Sequence, residues 1–127
     1  MRFEHLGINV PDARAMARWY ERHLNMRTVR GEQQPPWAHF LADASGRTVL
    51  EVYTNTADPL PDYARQHPLR FHLAFAVDDP DDVGGRLIAA GAQPLSDQTL
   101  DDGSRIVMVR DPWGLVVQLV HRATPLP

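Results

Sequence analysis

Cysteine and lysine are both missing from this chain, and each absence removes a class of chemistry. Without cysteine there are no disulfides, no thiolate nucleophile and no sulfur-ligated metal. Any bound metal must use nitrogen and oxygen ligands, which suit Zn, Fe(II), Ni, Mn or Co. Without lysine there is no Schiff-base chemistry and no phosphate-binding P-loop. All 13 basic residues are arginine, and against 16 acids they leave a formal charge of −3. That small charge gives no electrostatic case for a nucleic-acid or acidic-membrane partner. No apolar run approaches the roughly 20 residues of a membrane helix. Met1-Arg2-Phe3-Glu4-His5 reads as the start of a strand, with no signal-peptide apolar region after it. A cytoplasmic location is the expectation.

What is present is an ordinary globular composition, 43% hydrophobic and 23% charged, in 127 residues. That is one domain, spanning 1–127, and long enough to bury a core. Phe3 to Val10 alternates like a half-buried strand. Leu6, Ile8 and Val10 share one face; Phe3, His5, Gly7 and Asn9 share the other. Pro11-Asp12 starts a helix, with Asp12 as the cap, and Ala13, Met16, Ala17, Tyr20 and Leu24 recur at helical spacing. Strands are expected near 26–31, 37–43 and 47–54, the last two joined by a turn at Asp43–Gly46. Residues 55–68, rich in Pro and polar side chains, read as a linker. Arg70 to Val77 then alternates as a strand. Asp79-Pro80-Asp81-Asp82 opens a second helix that stops at Gly91. Strands follow near 93–99, 104–110 and 114–121.

The chain therefore repeats itself, as module one (about 1–54) and module two (about 69–122). A shift of 67 residues lays His5-Leu6 on His72-Leu73, Val10 on Val77 and Asp12 on Asp79. Without a gap it also lays Val49 on Val116, Glu51 on Gln118 and Val52 on Leu119. Both hairpin turns come into register within about one residue.

Successive strand residues face opposite sides of a sheet. If the aliphatic faces cover the helices, then His5, Glu51, His72 and Gln118 occupy equivalent places on the other faces. Taken singly, each has an ordinary role. A strand histidine is usually a hydrogen-bonded packing residue, Glu51 could pair with Arg70 or Arg105, and Gln118 could sit on a wet strand. Together they form a set of nitrogen and oxygen donors. A carboxylate on an apolar face is costly unless paired, and a shared divalent cation would pair it.

At these residues the chain resembles the vicinal oxygen chelate superfamily of glyoxalases, bleomycin-resistance proteins and extradiol dioxygenases. The carriers are His5-Leu-Gly-Ile-Asn-Val, Val49-Leu-Glu51-Val, Phe71-His72-Leu-Ala-Phe-Ala-Val and Asp111-Pro-Trp-Gly-Leu-Val-Val-Gln118-Leu. The resemblance implies an α+β fold in which two tandem βαβββ modules form a curled mixed sheet around a metal cleft. It implies a divalent metal on His5, Glu51, His72 and Gln118. In place of the family's polar turn and ligand Glu, this chain has Trp113, Leu115 and Gln118. Glutamine can ligate but cannot accept a proton, which leaves Glu51 as the candidate catalytic base.

The leading expectation is a metal-dependent glyoxalase-like lyase or isomerase, acting on a small substrate that chelates the metal through two neighbouring oxygens. The same His5, His72 and Glu51 also form a 2-His-1-carboxylate set, which suits an Fe(II) extradiol-type dioxygenase. The third alternative is a metal-free, drug-sequestering protein of the bleomycin-resistance type. Trp37, His39 and Tyr53 are the candidate substrate-binding residues, Trp37 and His39 because they alternate toward one face. The resemblance also implies a homodimer with clefts at its interface, His5 and Glu51 of one chain serving with His72 and Gln118 of the other. The 55–68 segment is expected to form part of a wall.

Overall fold

A computed structural model describes residues 1–127. The chain divides into two compact units, Met1–Pro61 and Asp62–Pro127. In the first, β1 (Leu6–Asn9) leads into α1 (Ala13–His23), followed by β2 (Arg27–Gly31), β3 (His39–Ala42) and β4 (Thr48–Tyr53). The second has β5 (Leu73–Ala76), α2 (Pro80–Ala89), β6 (Gln93–Thr99), β7 (Arg105–Arg110) and β8 (Val116–His121). Each unit is one βαβββ module with its own four-stranded sheet, ordered β1-β4-β3-β2 and β5-β8-β7-β6. The β1–β4 and β5–β8 pairs are parallel and the rest antiparallel, because only the helical crossover returns the chain in the same direction. Two mixed sheets with two helices give the α+β architecture, with no closed barrel.

Both helices start as their sequences dictate. The Asp12 carboxylate accepts from the Ala15 amide, and that of Asp79 from the Asp82 amide, each at 2.9 Å. Pro80 opens α2, and Gly91 turns the chain out of it at φ +105°. α1 packs on β2, β3 and β4 of its sheet. Met16, Tyr20, Leu41 and Val52 are fully buried in this module, each worth about 1.5–3 kcal/mol. In module two, Leu87, Val109, Val117 and Leu119 are completely buried beside α2. Arg105 of β7 binds Asp81 of α2 and Asp97 of β6, and its guanidinium holds the Asp81 carboxyl below the usual carboxylate range.

The repeat is deeper than the identities suggest. Leu6 pairs with Leu50 and Leu73 with Val117, so the 67-residue offset holds in both parallel pairs. Both second strands carry a bulge at the same place, between Thr28 and Arg30 and between Pro94 and Ser96. The hairpin turns share their first side-chain bond: Asp43 accepts from the Ser45 amide, as Asp111 does from that of Trp113. Their offset, however, is one residue longer. In module one the pairing jumps from Ala42–Thr48 to Leu41–Leu50, leaving Val49 as an extra residue, whereas Arg110–Val116 and Val109–Val117 run on regularly. Thr48, rather than Val49, is thus the counterpart of Val116.

Two sequence expectations change. The first strand is regular only over Leu6–Asn9, and Phe3, far from sharing a sheet face, is 77% exposed. Residues 55–68 are not one linker, since the unit boundary falls after Pro61. A short 3-10 helix, Tyr63–Arg65, belongs to module two, where Arg110 donates to the carbonyls of Tyr63 at 2.9 Å and Gln66 at 2.6 Å.

Candidate functional site

His5 stands one residue before β1 and Glu51 in the middle of β4. The parallel register sets Gly7 opposite Glu51, so both side chains issue on the sheet face away from Val52 and α1. There His5 Nε2 lies 3.2 Å from Glu51 Oε2, with the two side chains 25% and 21% exposed. Two ligands about 2.1 Å from one metal, at an angle near 100°, lie roughly 3.2 Å apart. The pair's spacing fits one edge of a coordination polyhedron as well as a direct imidazole–carboxylate contact. His5 Nδ1 is buried without a hydrogen bond, the exposed Glu4 carboxylate approaching it only to 3.4 Å.

In module two, His72 precedes β5 by one residue, and Gln118 lies opposite Ala74 in β8. His72 Nδ1 is 3.2 Å from the Pro68 carbonyl. A carbonyl only accepts, so Nδ1 carries a proton, and in the neutral ring the lone pair is then on Nε2, the tautomer a ligating histidine needs. Gln118 is one of three buried polar residues. Its own face is apolar, bearing Ile106, Met108, Val116 and Val120. Each module thus offers an imidazole and an oxygen donor, and in neither do three His, Asp or Glu side chains converge.

The three candidate substrate-binding residues part company. Tyr53 lies on Glu51's face, its Cε1 3.5 Å from where a Gly7 Cβ would stand. His39 does not: it pairs with Val52, so it points to the α1 side, while its neighbour Phe40 pairs with Glu51. Trp37 precedes β3 at φ +53°, and the Arg14 guanidinium of α1 lies 5.1 Å from its ring centre. Trp37 and His39 do go together, through a 2.7 Å hydrogen bond from His39 Nδ1 to the Trp37 carbonyl, but away from the Glu51 face. The residue missed is Phe40. Its ring meets that of His5 edge-on at 5.3 Å, and the Arg30 guanidinium lies 5.9 Å over it. Anchoring the strand's alternation on Leu41 as the core residue, instead of on Trp37 and His39, finds it.

Gly7 is what lets the carboxylate sit where it does. A Cβ there would stand 3.1 Å from Glu51 Oε2, tight enough that the carboxylate would have to give by a few tenths of an ångström. Gly7→Val is expected to push the carboxylate off His5 while keeping a good strand residue. Competition with a colorimetric chelator should then show metal affinity weakened at least about tenfold. An unchanged affinity would remove Glu51 from the ligand set.

The profile of the Glyoxalase/Bleomycin resistance protein/Dioxygenase superfamily matches residues 2–119. A comparison with the curated proteins found no match. Among solved structures, a glyoxalase family protein from Enterococcus faecalis is 24% identical, with a TM-score of 0.69 over 94% of this chain and 97% of that one. A glyoxalase-related enzyme from Fulvimarina pelagi is 19% identical, with a TM-score of 0.72 over 100% of this chain and 93% of that one. A superfamily member from Sphaerobacter thermophilus DSM 20745 is 17% identical, with a TM-score of 0.67 over 96% and 98%. These likenesses establish the fold, which enzymes and non-enzymes share. No helix is long and apolar enough to cross a membrane. With the profile spanning both modules, the chain belongs to the glyoxalase/bleomycin resistance protein/dioxygenase superfamily.

Proposed function

We propose that this chain is a divalent-metal-dependent, cytoplasmic, glyoxalase-like lyase or isomerase for a small substrate with two neighbouring oxygens. The observation that carries this reading is the 3.2 Å pairing of His5 Nε2 with Glu51 Oε2 on a face kept open by Gly7. A sequestering pocket has no use for such a pair. His5 and Glu51 would hold the metal from module one; His72 through Nε2 and Gln118 through its amide oxygen would hold it from module two. The bound ion would supply Lewis acidity to the substrate oxygens. Glu51 takes the proton from the carbon next to the substrate carbonyl, whose oxygen receives the negative charge as the C–H electron pair shifts. Returning that proton to the former carbonyl carbon, while the hydroxyl proton passes to the former carbonyl oxygen, completes an isomerisation that consumes no oxidant or reductant. Gln118 exchanges no proton, so this work falls to Glu51 alone.

We also propose a homodimer in which His5 and Glu51 of one protomer serve with the partner's His72 and Gln118. Phe3 and Leu69, 77% and 75% exposed just ahead of the two histidines, leave apolar surface for a partner to cover. Elemental analysis should find one metal ion per chain, lost in both His5→Ala and His72→Ala. Refolding those two variants together should restore roughly a quarter of the wild-type metal, because half the dimers are mixed and each holds one intact site. No recovery would end the shared-site proposal. A metal-free native protein would instead favour sequestration, and oxygen uptake with catechols after Fe(II) loading would favour the dioxygenase.

A further inference from the structure

We propose that module one carries a second binding pocket, for a small organic anion bearing a hydroxyl, on the α1 side of the sheet opposite Glu51. The pocket is a solvent-open cleft, with Arg14, Arg18, Glu21, Gly31 and Gln33 exposed, and its volume of about 370 Å³ is the size of a small-metabolite site rather than of a large cofactor's. Its wall is built from one stripe of α1, where Arg14, Arg18 and Glu21 follow at helical spacing, and from β2 and β3, which add Gly31 and His39. Gln33, from the loop between those strands, contributes a carboxamide.

The charges on this wall point to an anion. Neither Arg14 nor Arg18 takes part in an ion pair of the chain. The one acid, Glu21, accepts at 2.8 Å from the amide of Thr28, which lines the same wall. Two guanidiniums against one occupied carboxylate leave a net positive pocket, and the guanidinium fork matches carboxylate and phosphate groups. Arg14 is steadied by its stacking over Trp37 at 5.1 Å, which lowers the entropy lost on binding.

His39 specifies the hydroxyl. Its Nδ1 must carry a proton to donate to the Trp37 carbonyl, so the neutral ring has its lone pair on Nε2. That nitrogen accepts, and a ligand hydroxyl beside the anionic group is the complement. Gly31 makes room for the ring, since a Cβ there would stand 3.1–3.2 Å from its Cδ2 and Nε2. The pocket is separate from the candidate metal half-site, because His39 and Phe40 leave β3 on opposite faces.

The test is an NMR titration of the full, metal-stripped chain with inorganic phosphate and, separately, with glycolate. Saturable shifts are expected at the Gly31 and His39 amides and the Arg14 and Arg18 Nε–H groups, with a dissociation constant on the order of 1 mM. Arg18→Gln, which leaves the Arg14–Trp37 stack intact, should weaken binding at least tenfold without lowering the melting temperature; Arg14→Gln should weaken binding as much while also losing the stack on Trp37. Glu51→Gln should titrate like the wild type. Saturation by glycolate alone assigns a hydroxy-carboxylate, and by phosphate alone a phosphate ester. Shifts that never saturate, shifts confined to His5 and His72, or arginine variants that bind as well as the wild type would overturn the proposal.

Discussion

Glu51→Gln is expected to stop proton transfer while leaving the fold and most of the metal in place. Gln keeps an oxygen beside His5 Nε2, so the 3.2 Å neighbour survives as an amide. It lacks the negative charge and, with it, the capacity to take a proton. Because the Glu51 side chain is 21% exposed and faces away from the buried Val52, the melting temperature should move little. The loss in rate should be large, on the order of 10²–10⁴-fold, the usual contribution of a positioned base. The measurement is deuterium incorporation from D2O into a panel of small α-hydroxy ketones, followed by proton NMR, with the metal content of each sample in hand. Glu51→Asp separates position from chemistry: it retains the base but withdraws it by one methylene, and should keep a fraction of the exchange rate. Metal-replete Glu51→Gln that exchanges as fast as the wild type would sink the base assignment.

The positions behind that prediction were readable in the sequence because the 67-residue offset survives in both parallel strand pairs. Leu6–Leu50 and Leu73–Val117 take the same register, so each histidine and its oxygen donor fall on one face by strand alternation alone. What failed were features that alternation cannot see. The bulge at Val49 adds a residue without disturbing Glu51, so a gapless alignment matches Glu51 correctly and Val49 wrongly. His39 and Phe40 are both ring-bearing residues in a four-residue strand, and only the pairing with Val52 and Glu51 decides which faces which side. The attachment of residues 62–68 to module two was invisible for another reason. It rests on a side chain reaching backbone carbonyls 44 and 47 positions away, and such contacts leave no periodic trace.

That same attachment makes Gly114→Ala a strongly damaging small substitution. Gly114 sits at φ +91°, and a Cβ there would stand 2.7 Å from the backbone nitrogen of Ala64 and 3.0 Å from its Cα. Backbone cannot rotate aside as a side chain can. Arg110 joins both segments, donating to the Gly114 carbonyl at 3.0 Å as well as to those of Tyr63 and Gln66. Asp111 Oδ1 fixes the turn from within, accepting from the amides of Trp113 and Leu115. Its counterpart in module one supplies the control, since Gly46 has φ +82° but nothing within 4 Å of the added methyl. Gly46→Ala should cost about 1 kcal/mol, the backbone term alone. Gly114→Ala adds overpacking, for a total of roughly 3 kcal/mol or more, read as a melting temperature lower by about 10 °C. Because Pro68 follows the displaced 3-10 helix and its carbonyl orients His72, the variant should also bind metal more weakly at temperatures where it is fully folded. Equal losses at Gly46 and Gly114 would mean that the 62–68 segment yields freely, and that His72 is held by its own strand rather than by the loop before it.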